Sequence, residues 1–262
     1  MKQNLSFPVK AQTKRPVAVL AALGLAFLVR LLSCGKGAFT RLAAAGMMIL
    51  PGQLFSQTHD TMHTYSYLAL GDSYTIGEAV LLTENFPYQT VQLLRGKGYN
   101  FHAPEVIAKT GWTTDELSAA MNEHVFLPRY DFVTLLIGVN NQYRGRDVIE
   151  FKEQLEELLK KAVELAHGKK DRVILVSIPD YSYTPFAAGM EREKISRELD
   201  VYNGVLRALS AQYKVHHLDI TPGTREAAAD SSLVASDGLH PSASEYARWA
   251  SKLAELISSQ LK

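Results

Sequence analysis

This sequence predicts a single three-layer α/β/α domain built around a parallel sheet of about five strands. Two observations carry the prediction. Short β-branched runs alternate with longer amphipathic ones along the body of the chain, the order of repeated β/α units. Several of those runs are apolar at successive positions, as in Phe132-Val133-Thr134-Leu135-Leu136-Ile137. Strands buried on both faces read that way, which means a parallel sheet covered by helices. No internal repeat, low-complexity segment or Pro/Gly linker divides residues 57–262, so they are expected to form one domain.

The strands are expected at 65–70, 105–109, 132–137, 172–178 and 215–220, and the helices between and after them at 85–97, 114–123, 147–167, 191–213 and 243–261. The 147–167 segment shows the helical period plainly, with apolar residues at Val148, Phe151, Leu155, Leu158, Ala162 and Leu165. Gly168 stands where a C-terminal cap belongs. In open parallel sheets ligands bind outside the carboxyl ends of the strands. The loops 71–77, 110–113, 138–146, 179–189 and 221–240 should therefore face one site.

Residues 1–56 differ in character. They hold seven of the 28 Lys/Arg and none of the 27 Asp/Glu, leaving 21 bases against 27 acids in the rest. A mildly acidic body lacks the basic face that nucleic-acid binding requires. Within the leader, apolar runs at 17–29 and 42–50 each follow basic residues. The second run meets Pro51-Gly52 and then Leu54-Phe55-Ser56-Gln57, the pattern of a signal peptide cut near Ser56. The expectation is an exported protein, periplasmic or extracellular. The alternative is a lipoprotein anchored through Cys34, in which case any membrane contact is made by the leader or by that lipid. Neither run reaches the roughly 20 residues of a membrane-spanning helix. Cys34 is the one cysteine, so the body is expected to hold no disulfide and to use no thiol chemistry.

Two short segments carry the chemistry. Gly71-Asp72-Ser73 places a serine on a tight turn at the end of the first strand, and Asp237-Gly238-Leu239-His240-Pro241 places an aspartate three residues before a histidine. A serine hydroxyl is a poor nucleophile until a positioned imidazole takes its proton, and a carboxylate on the imidazole's other nitrogen fixes its tautomer. Ser73, His240 and Asp237 are the candidate catalytic residues. Each segment alone has a plainer reading, Ser73 as a turn former and His240 as a loop histidine. His216 and His217 lie in a predicted strand and read as structural.

Together the segments resemble the first and last signature blocks of the GDSL, or SGNH, hydrolase superfamily. Two further blocks of that family are matched between them. Lys109-Thr110-Gly111-Trp112-Thr113-Thr114 carries a glycine after the second strand, and Gly138-Val139-Asn140-Asn141 is a Gly-x-Asn after the third. The resemblance implies the SGNH fold, with a flavodoxin-like parallel sheet, and a serine esterase that needs no cofactor. It further implies Ser73 as nucleophile, His240 as base and then acid, Asp237 as its orienter, and an oxyanion hole from the amides of Ser73 and Gly111 and the side chain of Asn140. Tyr74 stands where the family name has leucine, and Asn141 where many members have aspartate. The Gly-x-Asn-Asn form resembles the acetylhydrolase-like and carbohydrate-esterase branches.

Candidate pocket residues are Tyr74, Trp112, Asn141, Tyr143, Arg144, Tyr183 and Phe186. The aromatic segment 181–186 is expected to wall an acyl group, and Arg144 or Arg146 to meet an anionic head group or a sugar. No cluster has metal-ligand spacing and no glycine-rich loop suits a phosphate. The expected substrate is a small-molecule, glycan or lipid ester. The readings left open are a sugar-polymer deacetylase, a lysophospholipase or thioesterase, and a catalytically silent binding module on the same fold.

Overall fold

The structure, a computed structural model, describes residues 63–261. The leader and its Cys34 lie outside the described residues. Five strands, β1 (Tyr67–Gly71), β2 (Glu105–Ala108), β3 (Phe132–Leu136), β4 (Val173–Val176) and β5 (His216–Leu218), form one sheet in the order β2-β1-β3-β4-β5. All four pairings are parallel. β1, β3 and β4 are buried along their whole length, as successive apolar positions require. Each strand falls inside or within a residue of its expected segment.

Among the described residues, eight α-helices connect and follow the strands. Five are the expected long ones: α2 (Phe86–Gly96), α3 (Thr114–Glu123), α5 (Val148–Leu165), α6 (Arg192–Tyr213) and α8 (Ala243–Ser259). Three of their starts are set by side chains that satisfy free amides. Asn85 accepts from Tyr88, Asp147 from Ile149, and Ser242 from Glu245. α2 packs on α8, while α5 packs on α3 and α6. With right-handed crossovers this puts α2 and α8 on one face of the sheet and α3, α5 and α6 on the other. Phe86 of α2 meets Tyr246 and Trp249 of α8 ring to ring at 6.4 and 6.1 Å, the aromatic centre of that layer.

Three short helices, α1 (Ser73–Ile76), α4 (Val139–Tyr143) and α7 (Thr221–Thr224), are additions to the expected elements. Four or five residues cannot show a 3.6-residue period. Each begins within three residues of a strand's carboxyl end. The crossovers leave β1 and β3 in opposite directions, so the crevice of the sheet opens between the ends of these two strands. Their tips touch there. A Cβ on Gly71 would collide with the Leu136 carbonyl and the Thr75 hydroxyl, so β1 can hand over to α1 this close to β3 only through glycine.

Candidate active site

Ser73 is the first residue of α1, and the helix is capped from the residue before it. Asp72 Oδ1 accepts the Tyr74 amide at 3.0 Å, and its backbone carbonyl accepts from Thr75 and Ile76. The Ser73 amide and hydroxyl donate to nothing among the described residues. Asp72 itself is fully buried, and its Oδ2 has no partner among the described residues. Burial outweighs the amide hydrogen bonds and pushes its carboxyl up to about 7.

On the facing loop, Asp237 and His240 form a preorganised couple. His240 Nδ1 lies 2.6 Å from Asp237 Oδ2, while Oδ1 accepts the amides of Leu239 and His240 at 3.0 Å each. The turn between them needs Gly238 at φ 74°. Burial raises the Asp237 carboxyl, but the His240 ring and the two amides overcome this and hold it below its ordinary range. His240 is buried at 6% exposure, and its ring packs 5.2 Å from that of Tyr74. With Nδ1 committed to the carboxylate, Nε2 is the nitrogen left to take a proton.

Ser73 and His240 line the same open cleft, together with Tyr74, Val139, Asn140, Tyr143, Tyr181, Phe186 and Leu239. No hydrogen bond joins the Ser73 hydroxyl to the imidazole, and in unliganded sites such contacts often tighten only with substrate in place. Asn140 donates one Nδ2 hydrogen to the Trp112 carbonyl at 3.0 Å, leaving the second unspent. The Gly111 amide, at φ 84°, likewise donates to nothing among the described residues. Apart from His240 the cleft carries no ionisable group stronger than a phenol. Three of its rings, Tyr143, Tyr181 and Phe186, stand 6.0 to 6.2 Å apart. The Phe186 amide donates to the Gly238 carbonyl at 2.8 Å, tying this aromatic wall to the Asp237–His240 turn.

The expected pocket residues divide. Tyr74, Tyr143 and Phe186 line the cleft; Trp112, Asn141, Arg144 and Tyr183 do not. Asn141 is fully buried and clamps the start of α3, its Oδ1 accepting the Thr114 amide at 3.1 Å and its Nδ2 donating to the Thr114 hydroxyl at 2.7 Å. Arg144 is spent on the Gly111 carbonyl and on Glu116, and Arg146 on Asp115 and Glu150, so neither guanidinium waits for an anionic head group. Tyr183 lies beneath the guanidinium of Arg192, 5.1 Å from its ring centre. Trp112 is half-buried and packs against the core. Tyr181, from the aromatic segment expected to wall an acyl group, lines the cleft as well, while Val139 and Leu239 were overlooked. Each adjoins or sits inside a quoted motif, which was the available signal. Among the described residues, no group of three or more His, Cys, Asp or Glu could hold a metal ion.

With this geometry in place, the comparison with known families is direct: residues 69–248 match the model of the GDSL-like lipase/acylhydrolase family. The chain belongs to that family. Membership places it among the carboxylic ester hydrolases. Solved structures of the GDSL-like kind share the fold. One is a lipase/acylhydrolase from Enterococcus faecalis (20% identity, TM-score 0.59, covering 75% of this chain and 97% of that one). Another is an acetylxylan esterase from Geobacillus stearothermophilus (20%, 0.59, covering 75% and 95%). A third is the esterase EstA from Pseudoalteromonas sp. (18%, 0.55, covering 75% and 98%). No curated protein sequence matches the chain.

The raised Asp72 carboxyl has a consequence for stability. Folded, it holds its proton up to about pH 7, whereas unfolded it releases it near its ordinary value of 3.8. The native state therefore binds more protons between these values, and its contribution to stability falls as pH rises from about 4 to about 7. An asparagine at this position could still accept the Tyr74 amide but could not titrate. Urea midpoints measured from pH 4 to 8 should show Asp72→Asn gaining on the wild type as pH rises and levelling above 7. A difference that stays constant with pH contradicts the assignment.

Proposed function

We propose that the chain is an exported serine esterase that hydrolyses carboxylic esters through an acyl-enzyme on Ser73. The observation that carries this reading is the Asp237–His240 couple at 2.6 Å, fixed within one turn and bordering the cleft that Ser73 also lines. The Ser73 Oγ attacks the ester carbonyl as its proton passes to His240 Nε2. The resulting imidazolium is stabilised by the Asp237 carboxylate. The carbonyl oxygen becomes an oxyanion facing the unspent donors of Ser73, Gly111 and Asn140. Each such donor is worth about 3–4 kcal/mol of transition-state stabilisation. Collapse of the tetrahedral intermediate breaks the ester C–O bond, and His240 returns the proton to the leaving alcohol. Water then repeats the sequence on the acyl-serine, releasing the acid and restoring the hydroxyl.

The charge-free, aromatic-walled cleft suits a neutral acyl or alkoxy group. Exposed Tyr143 and Phe186 at its edge also favour a second reading, removal of acyl groups from a sugar polymer, since open aromatic rings can stack on sugar rings. An acetylxylan esterase among the structural neighbours agrees with that reading without deciding it.

Turnover of a short p-nitrophenyl ester should vanish in Ser73→Ala and fall by about 10³-fold or more in His240→Ala, with Asp237→Asn similarly impaired through the wrong tautomer. Wild-type rates in Ser73→Ala would end the proposal. Export rests on the basic, acid-free leader with its apolar run at 42–50. The intact mass of the protein recovered outside the cytoplasm should correspond to a chain beginning near Gln57. A lipidated Cys34 terminus would instead establish the anchored form, and an unprocessed chain retained in the cytoplasm would refute export.

A further inference from the structure

The two loops that would supply the oxyanion donors are joined by a side chain that no signature block contains. Gly111 adopts φ 84°, a left-handed conformation that glycine enters freely and also leaves freely. The turn around it is closed by the Trp112 amide, which donates to the Lys109 carbonyl at 3.2 Å, and no side chain of its own packs it in place. Around the point where a Gly111 Cβ would sit, Arg144 Nη2 at 3.6 Å is the only group from outside its immediate neighbours within 4 Å among the described residues. The same Nη2 donates to the Gly111 carbonyl at 2.6 Å. A guanidinium bound to a carbonyl is a charge-assisted bond, about twice as strong as a neutral one.

Arg144 is held in its turn from both ends. Its Nη1 reaches Glu116 Oε2 at 3.3 Å, and that same oxygen accepts the Thr113 amide and hydroxyl at 2.9 Å each. Its backbone amide donates to the Asn140 carbonyl at 3.1 Å. Arg144 therefore starts one turn beyond the Asn140 donor and ends on the Gly111 peptide. Two further links run parallel to it between the same loops, Asn140 to the Trp112 carbonyl and Asn141 to Thr114.

We propose that Arg144 is a positioning residue for the oxyanion hole: its guanidinium grips the Gly111 carbonyl and fixes the distance between the Gly111 and Asn140 donors. This rests on the serine-esterase reading above. Arg144 neither lines the cleft nor touches the reacting atoms; it acts through Gly111. Its side chain is 42% exposed, and a pair that exposed adds little to folding stability. Its effect should therefore appear in the rate and not in the melting temperature. The planar fork matters as well, because a lysine presents a single ammonium that cannot engage Gly111 and Glu116 with the same geometry.

The test is steady-state hydrolysis of a neutral p-nitrophenyl ester by the full chain and its variants. Losing one oxyanion donor outright costs roughly 10²–10³ in rate; loosening one should cost less. Arg144→Ala is expected to lower kcat by about tenfold to a hundredfold, with KM within about twofold and the melting temperature nearly unchanged. Added guanidinium ion should restore part of kcat in Arg144→Ala and none in the wild type. Arg144→Lys should fall between the two, and Glu116→Gln should shift kcat in the same direction by less. Should Arg144→Ala fold poorly, Arg144→Lys and Glu116→Gln carry the test alone. Unchanged kcat in these variants overturns the proposal. So does a loss confined to KM for an anionic ester, which would return Arg144 to substrate binding. Ser73→Ala assayed alongside keeps the two questions apart: activity surviving there defeats the esterase reading, whereas an inactive Ser73→Ala beside a fully active Arg144→Ala defeats this inference only.

Discussion

The hydrogen bond between Asp237 and His240 is the contact on which the proposed chemistry depends, and much of the surrounding structure holds it in place. A carboxylate a third exposed gains little from an imidazole unless both are held. Here the Leu239 and His240 amides fix one carboxylate oxygen so that the other meets Nδ1. The turn is closed by bonds from Ala235 to the His240 carbonyl and from Ser242 to the Leu233 carbonyl. It is joined from the other side by the Phe186 amide. The imidazole packs on Tyr74, which in turn lies 6.5 Å from Trp249 in the aromatic layer between α2 and α8. The position of one ring is thus held by neighbours from three segments of the chain.

The parallel sheet supplies the other half of the arrangement. A sheet covered on both faces can carry polar chemistry only at its rim, and the reversal of crossover direction between β1 and β3 opens the rim where Ser73 and Asn140 emerge. The close approach of the two strand ends excludes a side chain at Gly71. Gly138 is constrained differently, by a φ of 127° and by side chains, since a Cβ there would meet Phe151 and Ile178 at 2.6 and 2.8 Å. Gly71 and Gly138 are therefore packing requirements as well as features of their turns, whereas the space around Gly111 is open.

How much could be read beforehand follows from the range of the interactions. The strands and long helices were legible because burial on both faces and a 3.6-residue period are local patterns, and the start of α5 was visible in Asp147; its end came earlier than Gly168 suggested, at Leu165 with Ala166 as the cap. The short helices α1, α4 and α7 were not, having too few residues to show a period. Ser73, Gly111 and Asn140 were legible as motif residues just beyond strand ends, and Asp237 and His240 as a spaced pair in the loop before α8. The fates of Arg144, Asn141 and Tyr183 were not, because each is decided by a partner in another segment; Arg144 and Gly111 lie 33 positions apart. Residue type alone assigned those side chains to substrate, while the fold uses them to brace itself.

The central claim is that one serine among the many in this chain is activated, and that the Asp237–His240 couple activates it. Covalent labelling by a fluorophosphonate, followed by peptide mapping of the adduct, reads this without knowledge of the natural ester. The account predicts a single adduct, on Ser73, forming at a rate that collapses in His240→Ala. An unlabelled wild-type protein, or an adduct on any other residue, would contradict it.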